Sequence, residues 1–340
     1  MREQVKPTAD LSLDLDNMWS YMKTHGNPDW QSHPSYLDLL VPRVLEQLDK
    51  RDLKITFFIV GQDAALEKNQ SALQQIPKAG HDVGNHSFHH EPWLHLYTDE
   101  EMEREFVKAE AAIKEATGVQ THGFRGPGFS LSVSVLETLK QRGYRYDAST
   151  LPTFIGPLAR AYYFFHSSLS KSEKDKRRAL FGGLRDCFRP LKPYHWALRD
   201  GGALLEIPVT TMPFTRAPFH ISYVMYLASY SPALALEYFG TALRLCRLAG
   251  VQPSLLLHPL DFLSGEDAEP LRFFPAMNID TKSKLQLVDR VLETYKQYFE
   301  IVPTSQRAER LIAAGGLRQI ATRTLKGRTP SREPSRVLST

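Results

Sequence analysis

The stretch HDVGNHSFHH, residues 81 to 90, gathers His81, His86, His89 and His90 in a chain with only 12 histidines. His86 and His90 stand four residues apart, so they share one face if the segment turns helically after Gly84. A carboxylate from another strand would complete a His, His, Asp triad that leaves coordination positions open to water. Asp14 and Asp16 in SLDLDN are the candidates, because an apolar strand gives way to a loop there. Arg125 in FRGPGF, Asp147 in YDASTLP and His258 in LLLHP also follow short apolar runs. A divalent ion in such a triad lowers the pKa of bound water toward about 7 and polarises a carbonyl, which suits amide or ester hydrolysis at neutral pH. Each residue also has a plainer reading. Asp147 could close an Asx turn within DAST, His258 could cap a strand stopped by Pro259, and Arg125 could sit in a structural ion pair. His81 and His89 read as neighbours of the ligands.

The elements that must position these groups alternate along the chain. LSLDLD (11 to 16) has strand periodicity, residues 36 to 52 carry apolar residues at helical spacing, and KITFFIVG (54 to 61) reads as a buried strand. A helix closed by Gly80 and a short strand at Val83 lead into the histidines. Residues 98 to 118 form the clearest helix, with Thr98 as N-cap, Glu101 completing a capping box and Gly118 beyond the end. Strand, helix and strand follow through residue 150. The order resumes with LLEIPVT (204 to 210), a helix over 232 to 250, PSLLLHP (253 to 259), a helix through 284 to 299 and EIVPT (300 to 304). Strands alternating with helices from end to end predict a barrel-like α/β domain of about seven strands. In such a barrel, residues at the C-terminal strand ends converge on one mouth, which would assemble the polar set. The barrel is expected over residues 1–314, interrupted by an insertion at 154–200. Residues 315–340 are expected to be a disordered basic tail.

A length of 340 residues and a formal charge of +4 describe a soluble globular chain too weakly basic to imply nucleic acid as a partner. The cysteines Cys187 and Cys246 form no CxxC pair, so neither a disulfide framework nor a cysteine zinc site is indicated. No apolar run reaches membrane-spanning length and no leader is legible at the N-terminus, so the expected location is cytoplasmic.

Taken together, the motifs resemble the NodB-type polysaccharide deacetylases, carbohydrate esterase family 4, over roughly residues 8 to 305. The matching segments are Asp14-Leu15-Asp16, His86-Ser87-Phe88-His89-His90, Arg125-Gly126-Pro127-Gly128-Phe129, Asp147-Ala148-Ser149 with Pro152, and Leu255-Leu256-Leu257-His258-Pro259. The aspartates are separated by Leu15, a D-x-D form similar to the branch that holds intracellular-type peptidoglycan deacetylases and a metal-free ureide hydrolase. The resemblance implies a distorted (β/α)7 TIM-like barrel and an enzyme that removes N-acetyl groups from an amino sugar. It implies that Asp16, His86 and His90 bind a divalent metal and that Asp14 is the base acting on the attacking water. Arg125 would pair with Asp14, since a neighbouring cation favours the carboxylate. The backbone of Pro127, Gly128 and Phe129 would meet the oxyanion and substrate, His258 would protonate the leaving amine, and Asp147 would orient or tune that side. The ligand set suits zinc, and also iron, cobalt, nickel or manganese.

Trp19, with Trp30, His25 and His33 in the expected loop 17 to 36, could line a sugar-binding groove. The insertion mixes aromatic clusters with Lys171, Lys174, Lys176, Arg177, Arg178, Arg185, Arg189 and Lys192. With residues 212 to 230 it could form a peripheral membrane contact through 160–230, which would bring a lipid-linked amino sugar within reach. The other reading of these segments is a cover for the barrel or the interface of a homo-oligomer. Two alternatives stand beside the deacetylase: a metal-free hydrolase of a small cyclic amide or ureide, and a non-catalytic glycan-binding barrel.

Overall fold

A computed structural model of the chain describes residues 6–154 and 187–325. At its centre is β1 (Thr8–Leu15), buried along nearly its whole length. Its side chains alternate between two faces. Ala9, Leu11, Leu13 and Leu15 join the large apolar core, whereas Asp10, Ser12 and Asp14 form a buried polar column on the opposite face.

Seven parallel strands follow one another in the order β8 (Ser254–Leu257), β1, β2 (Thr56–Ile59), β3 (Asp82–Asn85), β4 (Gly123–Phe124), β5 (Tyr146–Asp147) and β7 (Ala203–Glu206). This is the sequence-predicted barrel in distorted form. Among the described residues, β7 and β8 share no ladder. The seam is joined by the Thr210 N–H donating to the Ser254 carbonyl (2.9 Å) and the Ser254 N–H donating to the Thr210 hydroxyl (2.8 Å). β9 (Glu300–Pro303) pairs with the Thr8–Leu11 half of β1, below the Ser12–Leu15 half that β2 takes.

Helices cover the sheet because each carries an apolar stripe: α1 (Met18–His25), α2 (Leu37–Asp49), the single turn α3 (Gly61–Ala64), α4 (Glu67–Lys78), α5 (Asp99–Thr117), α6 (Val133–Gln141), α7 (Ile221–Ala228), α8 (Pro232–Leu248), α9 (Thr281–Tyr298) and α10 (Thr304–Ala314). The expected capping box of α5 is formed, with Thr98 and Glu101 exchanging backbone bonds. At its other end Gly118 takes a left-handed φ of 75°. The α10 helix closes the end of the barrel opposite the histidines. There Arg307 forms a buried ion pair with Asp10, and the Thr304 hydroxyl donates to the same carboxylate (2.9 Å).

Three boundaries depart from the sequence reading. The loop expected at 17 to 36 contains α1, N-capped by Asn17, and a 3₁₀ turn at Pro28–Ser32. The insertion contributes β6 (Tyr194–Ala197), which runs antiparallel to β7. The tail expected to be disordered from Gly315 instead supplies β10 (Gln319–Ala321), paired with β6. The residues that form β10 are apolar only at Ile320 and Ala321, too short a signal to read as a strand. Residues 326–340, and the cations from Lys171 to Arg185, lie outside the described residues.

Candidate active site

The strand registers align one row across six strands: Leu15, Ile59, Asn85, Phe124, Asp147 and Glu206. One residue beyond that row stand Asp16, His86 and Arg125, so motifs separated by up to 109 positions in the numbering share one rim. On the other side of β1, Leu13 pairs with Leu257, which puts His258 at the level of Asp14 on the adjoining strand.

Asp16, His86 and His90 converge. Their ligand atoms all lie within 4.8 Å of one another, with Asp16 Oδ1 at 3.3 Å from His86 Nε2 and 2.9 Å from His90 Nε2. Asp16 Oδ1 is buried with no hydrogen-bond partner, and both imidazoles aim a ring nitrogen at it. His86 Nδ1 donates to the Arg125 carbonyl (2.6 Å), which fixes the tautomer and leaves the Nε2 lone pair facing Asp16. A ligand histidine held by its second nitrogen and a carboxylate oxygen with no proton donor of its own are what a divalent cation needs. The donor set therefore fits a metal of the zinc or first-row type. Burial by itself raises the Asp16 carboxyl, but the facing His90 and His86 hold it well below the usual carboxylate range. Burial disfavours a charge on His86, yet Asp14 and Asp16 push it above the ordinary imidazole value.

The segment carrying the histidines is not helical. Ser87 and His90 adopt left-handed φ values of 62° and 53°, and this folds His86 and His90 onto one point. Asn85 Oδ1 accepts the Ser87 N–H (2.8 Å), and the buried Glu105 of α5 accepts the N–H groups of Phe88 (2.9 Å) and His89 (2.7 Å). The Glu105 carboxylate also meets His89 Nδ1 at 2.6 Å, so His89 braces the loop and is no ligand. Glu105 was not anticipated. Its signal is an acid on the apolar face of α5, between Met102, Phe106 and Ala109. His81 is also apart from the site, its Nδ1 accepting the Ile55 N–H (3.2 Å).

Arg125 is fully buried. Its guanidinium donates to Asp14 Oδ1 (2.7 Å), Ser12 Oγ (2.8 Å) and the Ala148 carbonyl (3.0 Å), and it lies over the Phe58 ring. After it the chain turns through Pro127–Phe129, where Gly128 and Phe129 have φ values of 57° and 61°. Pro127 is buried, Gly128 is exposed and Phe129 is half-buried, so Pro127 has no surface to offer a substrate.

Two expectations are corrected. Trp19 is 1% exposed and cannot offer a face to a sugar. Its Nε1–H donates to Asp63 Oδ1 (2.8 Å), and its ring packs edge-on against His90 and His33. Asp63 also accepts from Asn17 Nδ2 (2.7 Å), and burial together with the charge of Asp16 pushes its carboxyl up to about 7. Asp147 is likewise enclosed. It accepts from Ser149 Oγ (2.5 Å), which in turn accepts the Gly126 N–H (2.8 Å), so Asp147 underpins the Arg125 turn. Burial and the facing Asp147 push Glu206 well above the carboxylate range. The side-chain partner of His258 is Ser222, whose Oγ lies 2.9 Å from His258 Nδ1.

A barrel whose strand ends bring together an Asp/His/His ligand set, an Asp–Arg ion pair and a histidine defines the class. Residues 34–146 match the polysaccharide deacetylase family model. The chain is 27% identical over 197 residues to a peptidoglycan deacetylase of Helicobacter pylori, an alignment covering 55% of this chain and 65% of that one. It is also 27% identical over 155 residues to a peptidoglycan-N-acetylglucosamine deacetylase of Bacillus cereus, covering 43% and 63%. The chain thus spans a little under two thirds of the length of these curated relatives. The fold is similar to that of a candidate polysaccharide deacetylase of Mycobacterium smegmatis, with a TM-score of 0.58 and 18% identity over 98% of this chain and 97% of that one.

Proposed function

We propose that this chain is a metal-dependent hydrolase that removes acetyl groups from the nitrogen of an N-acetylated amino sugar. The observation that carries the reading is the convergence of Asp16 Oδ1, His86 Nε2 and His90 Nε2 beside the buried Asp14–Arg125 pair. The similarity to peptidoglycan deacetylases supports the substrate class.

Asp16, His86 and His90 would hold the metal, which supplies Lewis acidity toward the acetyl carbonyl and makes water nucleophilic at neutral pH. Asp14 takes the proton from the attacking water. Arg125 keeps that carboxylate oriented, and because its guanidinium is fixed by Ser12 and Ala148 it need not reorganise during the reaction. The exposed backbone at Gly128, with Phe129 beside it, borders the acetyl group. His258 delivers a proton to the departing amine from its own side of the mouth. The metal-free alternative gives no use for the open side of an Asp/His/His cluster whose ligand atoms lie within 4.8 Å of one another.

Zinc is the metal favoured by two imidazoles and one carboxylate. A reducing, cytoplasmic setting is supported by Cys187 and Cys246, both buried and neither in a disulfide. No helix among the described residues is long and apolar enough to cross a membrane. Peripheral membrane contact through 160–230 draws support from the exposed rings of Phe188, Phe214 and Tyr230.

The test is acetate release from a panel of N-acetylated saccharides and glycolipids, with Asp14→Asn and His86→Ala as controls. Release that requires added metal and disappears in both variants is expected. Equal activity in either variant overturns the assignment.

A further inference from the structure

The leaving-group side of the site contains a hydrogen-bonded arrangement that the family motifs do not supply. His258 follows β8 directly and opens a 3₁₀ turn, Pro259–Asp261. Its backbone N–H donates to Asp261 Oδ2 (2.8 Å), which folds the Asp261 carboxylate back to the start of the turn. Ser222, in the first turn of α7, reaches in from a different element. Its Oγ lies 2.9 Å from His258 Nδ1, and the hydroxyl faces the Asp261 carboxylate. Asp261 is 1% exposed, so nothing but protein surrounds its charge.

We propose that Ser222 and Asp261 are positioning residues for the proton donor, with the Ser222 hydroxyl joining the His258 ring to the buried Asp261 carboxylate. The proposal rests on the reading of His258 as the general acid. Donor and acceptor roles then follow in order: His258 Nδ1–H donates to Ser222 Oγ, and the Ser222 O–H donates to Asp261. This leaves Nε2 as the ring atom that carries the transferable proton. When Nε2 releases its proton to the departing amine, the N–H bond at Nε2 breaks, a new N–H bond forms on the amine, and the Nδ1 proton stays in place. Asp261 gains no proton at any point. The bond to Ser222 selects the Nδ1–H tautomer after transfer.

The charges around this arrangement are few and named. The His220 ring, from the N-cap of α7, lies 5.5 Å from His258 between centroids. Burial, His258 and Arg125 hold His220 well below the ordinary imidazole value, so it stays neutral. Tyr223 packs edge-on against His220. From α9, the Lys284 ammonium donates to the carbonyls of Leu260 (2.7 Å) and Leu263 (2.5 Å) and faces Asp261. Burial raises the Asp261 carboxyl, and His258, Ser222 and Lys284 all act in the opposite sense. Asp147, the carboxylate that the sequence motifs suggested for this task, is occupied with Ser149 and Glu206.

Two measurements on the metal-loaded full chain test the proposal. The first is ¹⁵N NMR of ring-labelled histidine at a pH where His258 is neutral, with His258→Gln used for assignment. The wild type is expected in the Nδ1–H form and Ser222→Ala in the Nε2–H form; a wild-type Nε2–H tautomer overturns the proposal. The second is the pH profile of acetate release. Ser222→Ala and Asp261→Asn are expected to lower kcat by about tenfold and to move the alkaline limb down by about one pH unit, with Ser222→Thr restoring both. An alkaline limb that stays put in both variants overturns the proposal. His258→Ala separates the two readings. If it turns over the acetylated sugar like wild type, the general-acid assignment itself falls. If it is inactive while the Ser222 variant keeps the wild-type tautomer and limb, only the positioning role falls.

Discussion

Asp14 and Arg125, 111 positions apart, meet in an ion pair of 2.7 Å from which solvent is excluded. A buried pair of this kind contributes little net stability, but losing one partner strands the other charge. Arg125→Ala is therefore expected to destabilise the fold by ~3–5 kcal/mol. Asp14→Asn keeps an acceptor for the guanidinium and removes the base, so it should fold normally while kcat falls by roughly 10²- to 10⁴-fold. Chemical denaturation alongside acetate release measures both. An Asp14→Asn protein that unfolds early, or an Arg125→Ala protein as stable as wild type, contradicts the arrangement.

The ligand set predicts one ion per chain. Calorimetric titration with zinc should give a single site in wild type, and His86→Ala, His90→Ala and Asp16→Asn should each weaken it by at least about tenfold. Metal at about a hundred times its Kd should add ~2.7 kcal/mol to unfolding stability, seen as a raised Tm. The sign with pH follows from His86. Its raised protonation range means a proton competes with the metal, so affinity falls as the medium becomes more acidic. Binding that survives all three substitutions places the ion elsewhere.

Trp19 separates a sugar platform from a buried brace. Trp19→Phe removes the Nε1–H donor to Asp63 and leaves that carboxyl with one donor fewer. The expected cost is ~1–3 kcal/mol in stability with KM for an acetylated sugar unchanged. A raised KM with unchanged Tm would restore the stacking role that its residue type suggests.

The order of elements was legible because the parallel strands are short apolar runs and α5 carries its cap signals in Thr98, Glu101 and Gly118. Asp16, His86 and Arg125 were legible too, since each falls directly after a strand. Tertiary partners were not. Nothing local marks Asp147 as the neighbour of Glu206, because the two lie on adjacent strands 59 positions apart. Asn17 opens the stretch expected to be a loop, and the structure uses it to start α1 while its side chain reaches Asp63. Glu105 and Ser222 act through loops that fold over them, so their roles depend on the left-handed residues Ser87 and His90 and on the 3₁₀ turn after His258.

His81 sets a pH dependence of stability that is separate from the reaction. Burial, with the charge of Lys54, pulls its imidazole down to about 4, and its Nδ1 accepts the Ile55 N–H, a bond available only to the neutral ring. The unfolded chain therefore binds more protons than the folded one from about pH 6.5 down to about 4, so stability rises with pH across that window and is lost on acidification. The loss amounts to up to ~3 kcal/mol, complete near pH 4. His81→Asn keeps an acceptor for Ile55 and does not titrate. Urea denaturation at pH 7, 5.5 and 4.5 should show the wild type losing more stability than the variant at each step down. An equal decline in both proteins assigns the acid sensitivity to other groups.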